Sequence, residues 1–530
     1  MKWWKLPLLL PLITCALLQW QFNATWKTVE VAPGLTRSMI AWNDQWPLPT
    51  LRAQVGDIVS LTIVNQLDES TSVHIHGLPF TGVSSMDGTE MVSHCPIMPG
   101  TQFTYEFEVT QEGTYWYHSH SMSQYGDGLR GLFIVDDPFS PITYDEEVEI
   151  LLGDYYECRA RQCLKQIRQG HFKRMIPDVV LVNDTSDFRW SVKPHTTYLL
   201  RLANVAVMAG RWFYIEDHDM TVVEVDGKWT EPYTVSVLNI APGQRVSVLI
   251  TTKSSTESNY IIGTAVDKYT MIYRHDQPSF NVTSWMVYNE SASTSKEMAL
   301  IDPSQAYQDY DMKPLPSQRL LGPIDLVIRL EIAVTYREFS AQSSNPGGPG
   351  AWHTLNGKTY NAPKVPTLMT AISAPADLKH SPKLYGENTH TYVVKYNQVV
   401  EIRIDNTDPM RHPMHLHGHR FQIVSINGRF TSPSNPPQRD TVSVDPYGSV
   451  VLRFKSDNPG VWLLHCHLEY HMDQGMGITI VEAPDHISES LGPNHHQLCH
   501  QANVPMAGNA GGTIDWHDLS NQPPPLWDTK

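Results

Sequence analysis

The chain has little charge, few cysteines and no apolar run of membrane-spanning length. Charged residues make up 18% of its 530 residues, below the roughly 25% of an average soluble protein. The charge it carries leans acidic: 39 Lys plus Arg against 55 Asp plus Glu, a net of −16. That balance excludes nucleic acid and anionic membrane surfaces as partners, because a phosphate backbone needs a basic footprint. Six cysteines do not make a disulfide miniprotein. The one long apolar stretch, Leu6 to Leu18, falls short of the ~20 residues a helical span requires. Long amphipathic helices are scarce as well. Present instead are 41% hydrophobic residues, 15 tryptophans and an excess of histidine, 24 in all.

The apolar stretch follows Met1-Lys2-Trp3-Trp4-Lys5, so it reads as a secretory leader, placed at 1–20 with cleavage near 18–22. Sequons at Asn23, Asn183, Asn281 and Asn289 agree with an extracellular or cell-surface glycoprotein. Outside the leader, which holds Cys15, five cysteines remain, and an odd number leaves one thiol for another task. Cys158 and Cys163 are close enough to close a local loop. Cys95 could pair with Cys499, which leaves Cys466 between two histidines.

Short alternating segments bounded by Gly, Pro, Asn and Asp dominate the chain. Val59–Val64, Phe103–Val109 and Val450–Phe454 all show period two. The class is all-β, built of sandwiches. An N-terminal unit with His74-Ile-His76-Gly77 and Gly113-Thr-Tyr-Trp-Tyr-His118-Ser-His120 recurs near the C-terminus. There it reads His415-Leu-His417-Gly418 and Gly460-Val-Trp-Leu-Leu-His465-Cys-His467. A middle stretch echoes the same strands without histidines. Three related domains follow, at 23–140, 145–300 and 315–495, with a linker around 304–323 and a disordered tail at 500–530.

Alternate residues of a strand point the same way, so each His-x-His pair aims two imidazoles at one place. Four matched pairs, His74/His76, His118/His120, His415/His417 and His465/His467, supply too many ligands for one zinc and suit several copper ions. Period two turns Cys466 to the other face, toward a second site. His412, His471 and Met476 complete the ligand set of a blue copper centre there. A one-electron collector joined by one peptide bond to a multinuclear cluster suits four-electron reduction of O2 to water.

These motifs, with Trp116-Tyr-His-Ser-His120, His412-Pro-Met-His-Leu-His-Gly-His419 and His465-Cys-His-Leu-Glu-Tyr-His471, resemble those of the multicopper oxidases. The resemblance implies three cupredoxin-like Greek-key domains and four coppers. Type 1 copper would take His412, Cys466, His471 and axial Met476. Type 2 would take His74 and His415. The type 3 pair would take His76, His118 and His467 on one ion and His120, His417 and His465 on the other. His419 is not a ligand in that pattern. The resemblance also fits a Cys95–Cys499 bridge and gives Asp87 and Glu469 as proton relays.

Tyr214–Gly227, Ala362–Met369 and Phe454–Trp462 look like the fungal iron-uptake ferroxidase branch. A ferroxidase needs carboxylates near the type 1 histidines, and Asp408 fits one. Ser191 stands where a Glu is expected, Tyr269–Tyr273 lacks an Asp, Trp352 replaces a tyrosine, and Met476 stands where those ferroxidases have Leu. A weak axial thioether lowers the type 1 potential. The expectation from these departures is a laccase-like enzyme, a secreted monomer without membrane anchor. It would oxidise phenols or naphthols in pigment or secondary-metabolite formation, with Asp408 accepting a phenol proton. The alternatives are Fe(II) oxidation, an ascorbate-oxidase-like activity, and a copper-binding cupredoxin protein without catalysis.

Overall fold

The computed structural model describes residues 15–529 except 170, 172–174, 255–256, 272–279, 295–297, 299–300, 302–305 and 338–349. The leader segment 1–14 and Tyr273 lie outside the described residues. Among the described residues, six sheets form three two-layer sandwiches. The first packs a four-stranded sheet around Leu17–Ala32 and Ile58–Asn65 on a second that carries His74–His76 and Gly113–His118. The middle domain pairs six strands with five. The third pairs a sheet centred on Val399–Asn406 with one containing His412–Leu416, Gly460–Cys466 and Gly477–Glu482. Among the described residues no helix is long and apolar enough to cross a membrane.

Alternation sets which strands face water. Gln102–Glu108 and Ser449–Lys455 bury every second residue, the mark of a sheet with one wet face. Gly113–His118, His412–Leu416 and Gly460–Cys466 are buried throughout. One face of these strands meets its own sandwich core, and the other meets a neighbouring domain. The three sandwiches therefore seal the histidine pairs from solvent.

Two expected boundaries move. The first strand begins at Leu17 and pairs in parallel with Ile58–Asn65, so the first domain reaches into the stretch assigned to the leader. The tail at 500–530 is not disordered where it is described. Helix Pro493–Gln501 runs into a segment that packs on the third domain. Asn509 is fully buried, and its side-chain oxygen accepts from Gly511 N at 2.9 Å. Asn361 and Asn388 donate to the carbonyls of Pro524 and Pro523, both at 2.8 Å. Proline and glycine composition suggests disorder only while the backbone lacks partners, and here folded-domain side chains supply them.

Cys95 bonds Cys499 across 404 residues of sequence, and Cys158 bonds Cys163. The long bridge ties the first domain to the C-terminal helix. The double variant Cys95→Ala/Cys499→Ala loses about 2–5 kcal/mol of stability, read as a lower midpoint of thermal unfolding. An unchanged midpoint would mean that packing alone holds the helix.

Candidate metal centre

The eight paired histidines converge where the first and third domains meet. Ring centroids within the pairs lie 5.9, 5.8, 4.7 and 5.6 Å apart. Across the interface His76 stacks on His415 at 3.7 Å and His74 lies 4.1 Å from His417. In three pairs the second histidine stands just past the strand end, since the strands stop at His118, Leu416 and Cys466. His120, His417 and His467 still face the centre, with His120 5.1 Å from His417 and His467 5.0 Å from His76. Gly88, at φ +84°, lets the Asp87 loop close on this strand: a Cβ there would sit 1.9 Å from the Val73 carbonyl oxygen.

Hydrogen bonds fix which nitrogen each ring presents. His74, His118, His415 and His465 give Nδ1–H to the carbonyls of Asp87, Ser119, Asp440 and Cys466 at 2.6–2.9 Å. His417 gives Nδ1–H to Asp87 Oδ2 at 2.9 Å. Each therefore turns an Nε2 lone pair inward. His76 is reversed: its Nε2 lies 3.2 Å from Asp440 Oδ1, and its buried Nδ1 has no hydrogen-bond partner. The Nε2 atoms of His417 and His465 face each other at 3.2 Å as two acceptors, an arrangement that calls for a cation between them. Burial comes first among the causes holding His76, His118, His120, His415 and His465 well below their usual pKa, and neighbouring imidazoles add to it. Neutral rings are the form a metal requires.

On the opposite face, Cys466 Sγ lies 3.6 Å from His412 Nδ1 and 3.9 Å from His471 Nδ1, and those nitrogens are 3.3 Å apart. All three residues are buried. Burial pushes the Cys466 thiol up, so a thiolate there needs a bound cation as counter-charge. Met476 is fully buried, and its carbonyl accepts from Cys466 N–H at 3.1 Å. His419 lies apart, 2.6 Å from Glu482.

Asp87 touches His417 and accepts from Thr89 Oγ1 at 2.6 Å. Burial opposes its ionisation, but His417 and His74 outweigh burial and hold its carboxyl well below the usual range. Burial first, and then Asp473, push Glu469 well above that range. A cavity of about 300 Å³ joins Glu469, Glu90 and Asp473 to His120. Asp408 Oδ2 stands 3.5 Å from His412 Nε2. Ser191 is exposed and donates to Glu290, and Trp352 is buried.

Sequence reasoning passed over three residues of the site. Arg245, from the middle domain, grips Asp440 through both guanidinium nitrogens at 2.8 and 2.6 Å. His353 stacks on His471 at 3.6 Å. A lone Arg, Asp or His outside any motif carries no sequence signal. Of the four sequons, Asn281 is exposed. The Asn183 amide is bonded to the backbone of Glu149 and Leu151, and Asn23 bonds Asn43.

The donor sets fit copper: imidazoles with inward lone pairs, and a buried thiol between two imidazoles. Multicopper oxidase family models match residues 23–140, 146–291 and 360–486. The chain is 37% identical over 530 residues to the iron transport multicopper oxidase FET3 of Candida albicans, covering 95% of this chain and 83% of that one. It is 36% identical to FET3 of Saccharomyces cerevisiae, covering 94% and 82%. The crystal structure of Fet3p, a multicopper oxidase that functions in iron import, superposes with a TM-score of 0.88 at 36% identity, covering 95% and 98%. A laccase from Botrytis aclada gives 0.78 at 26%, covering 92% of each chain. Whole-chain similarity to iron transport oxidases overturns the expectation of a phenol- or naphthol-oxidising, pigment-forming enzyme. The chain belongs to the multicopper oxidase family, with one type 1, one type 2 and two type 3 coppers.

Proposed function

We propose that the protein is a ferroxidase, oxidising Fe(II) one electron at a time and reducing O2 to water. Four Fe(II), one O2 and four protons give four Fe(III) and two waters. One observation of geometry carries this reading. Asp408 Oδ2 is buried without a hydrogen-bond partner, beside the Nε2 edge of His412. A carboxylate there attracts Fe(II) and binds Fe(III) more strongly, which favours loss of the electron. Arg411, three positions along the chain, does not cancel that charge, because it is held by Asp267 and Asp445. Similarity to iron transport oxidases supports the same substrate.

In this reading His412, Cys466, His471 and Met476 hold type 1 copper, and His74 and His415 hold type 2. His76, His118 and His467, with His120, His417 and His465, hold the type 3 pair. When bound, the coppers supply electron transfer and O2 reduction. The chain's own part is to link the sites, orient the ligands and deliver protons. Cys466 is bonded to both His465 and His467, so the electron path needs no jump through space. Glu469 donates toward the cluster side, and ionised Asp87 fixes His417. The leader, the sequons and the two disulfides fit a secreted or cell-surface location.

Asp408→Asn tests the substrate assignment. It lowers kcat/KM for Fe(II) about 10- to 100-fold, the loss of one charged contact worth ~1.5–3 kcal/mol. Copper content and the type 1 absorption band stay. Unchanged Fe(II) kinetics would remove Asp408 from the iron path.

A further inference from the structure

We propose that His353 is the second protein ligand to substrate Fe(II), completing with Asp408 a seat of one imidazole and one carboxylate. The proposal rests on the ferroxidase reading and deepens it. It supplies a second iron ligand where Ser191 stands in place of the expected Glu.

His353 sits in the strand Gly350–Leu355, which pairs with Leu326–Arg337, placing it opposite Val334. It is 3% exposed. Its ring lies flat on His471, centroids 3.6 Å apart with 14° between planes, and 6.1 Å from the His412 ring. Its Nδ1 is 2.6 Å from Gln474 Oε1. That oxygen can only accept, so Nδ1 carries the hydrogen and Nε2 keeps a lone pair. Nε2 points at Asp408 Oδ2 from 3.9 Å, too far for a hydrogen bond.

Asp408 is committed at its other oxygen, where Oδ1 accepts from Met410 N at 2.7 Å. Oδ2 is buried, with His412 Nε2 3.5 Å away on one side and no closer hydrogen-bond partner. Two acceptors thus face each other across a gap with no hydrogen between them. In a buried site that arrangement is unfavourable unless a cation joins them. A nitrogen and a carboxylate oxygen are suitable donors for divalent iron. The seat also touches both imidazoles of the type 1 site: Asp408 lies at the Nε2 edge of His412, and His353 lies on the face of His471. An iron ion held there delivers its electron through either imidazole toward Cys466, leaves as Fe(III), and releases no proton from the seat.

The test uses the full, copper-loaded protein. Co(II), a redox-inert divalent probe, is titrated calorimetrically into wild type, His353→Ala, His353→Phe and Asp408→Asn. The Phe variant keeps the ring stacked on His471 but removes the donor nitrogen. Copper content and the type 1 absorption band report folding in each. The expected result is one Co(II) site in wild type, weakened about 10- to 100-fold in all three variants, with KM for Fe(II) raised in parallel. Equal Co(II) affinity and equal KM for Fe(II) in wild type and His353→Phe would overturn the proposal. Failure of the ferroxidase reading looks different: wild type itself would oxidise Fe(II) poorly, whatever the Co(II) titration shows.

Discussion

Cys466→Ser leaves a folded protein that has lost the intense type 1 absorption band and has no measurable oxidase turnover with Fe(II). Cys466 is the single thiol shared by the two halves of the machinery. Its sulfur lies within 3.6 and 3.9 Å of the His412 and His471 nitrogens, and its backbone joins His465 to His467. Serine keeps the backbone and nearly the volume, so the strand Gly460–Cys466 and its pairing with Gly477–Glu482 survive. A hydroxyl is a poor ligand for copper where a thiolate is a strong one. Copper content falls from four to three, because the eight paired histidines are untouched. Loss of the collector removes the entry point for electrons, and this affects kcat rather than KM alone. Metal analysis, absorption spectra and oxygen uptake read all three consequences. A persistent type 1 band in the variant would place that copper elsewhere.

Arg245→Leu destabilises the protein by about 3–5 kcal/mol, the cost of leaving buried carboxylates without their cation. Arg245 is fully buried and lies at the meeting point of all three domains. It donates to Asp440 in the third domain, to the Thr114 carbonyl in the first and to Gly243 in its own. Asp226 lies 3.5 Å from it. Asp440 passes the constraint to the metal ligands. Its Oδ1 holds His76 Nε2, and its carbonyl holds His415 Nδ1. The substitution therefore lowers the unfolding midpoint and also loosens copper at the cluster. The distant type 1 set of Cys466, His412 and His471 keeps its absorption band. Equal copper retention in variant and wild type would reduce Arg245 to a purely structural brace.

The sequence exposed what repeats and what alternates. Period two in Phe103–Val109 and Val450–Phe454 marked the sandwiches, and the four His-x-His pairs marked the cluster. Opposite facing of Cys466 and its neighbours corresponds to two separate groups of side chains in the structure. Contacts made by single residues from distant segments were not legible. Arg245 and Asp440 are 195 positions apart, and His353 and Gln474 are 121 apart. The tail was misread because its composition resembles a free segment, while its order comes from partners such as Asn361, Asn388 and Thr359. Substrate choice was misread for a related reason. The laccase-like expectation rests on acids absent at a few expected positions, Ser191 among them. The edge of the type 1 site is instead built from Asp408 and His353, which arrive on separate strands and loops. Similarity over the whole chain weighed more than those local departures.

Oxygen uptake by the purified, copper-loaded protein, measured with Fe(II) and with a panel of phenols and naphthols at equal concentration, tests the ferroxidase assignment most directly. The expected result is a higher kcat/KM for Fe(II) than for any phenol, with four Fe(II) consumed per O2. Efficient turnover of a phenol or naphthol alongside poor turnover of Fe(II) would contradict it.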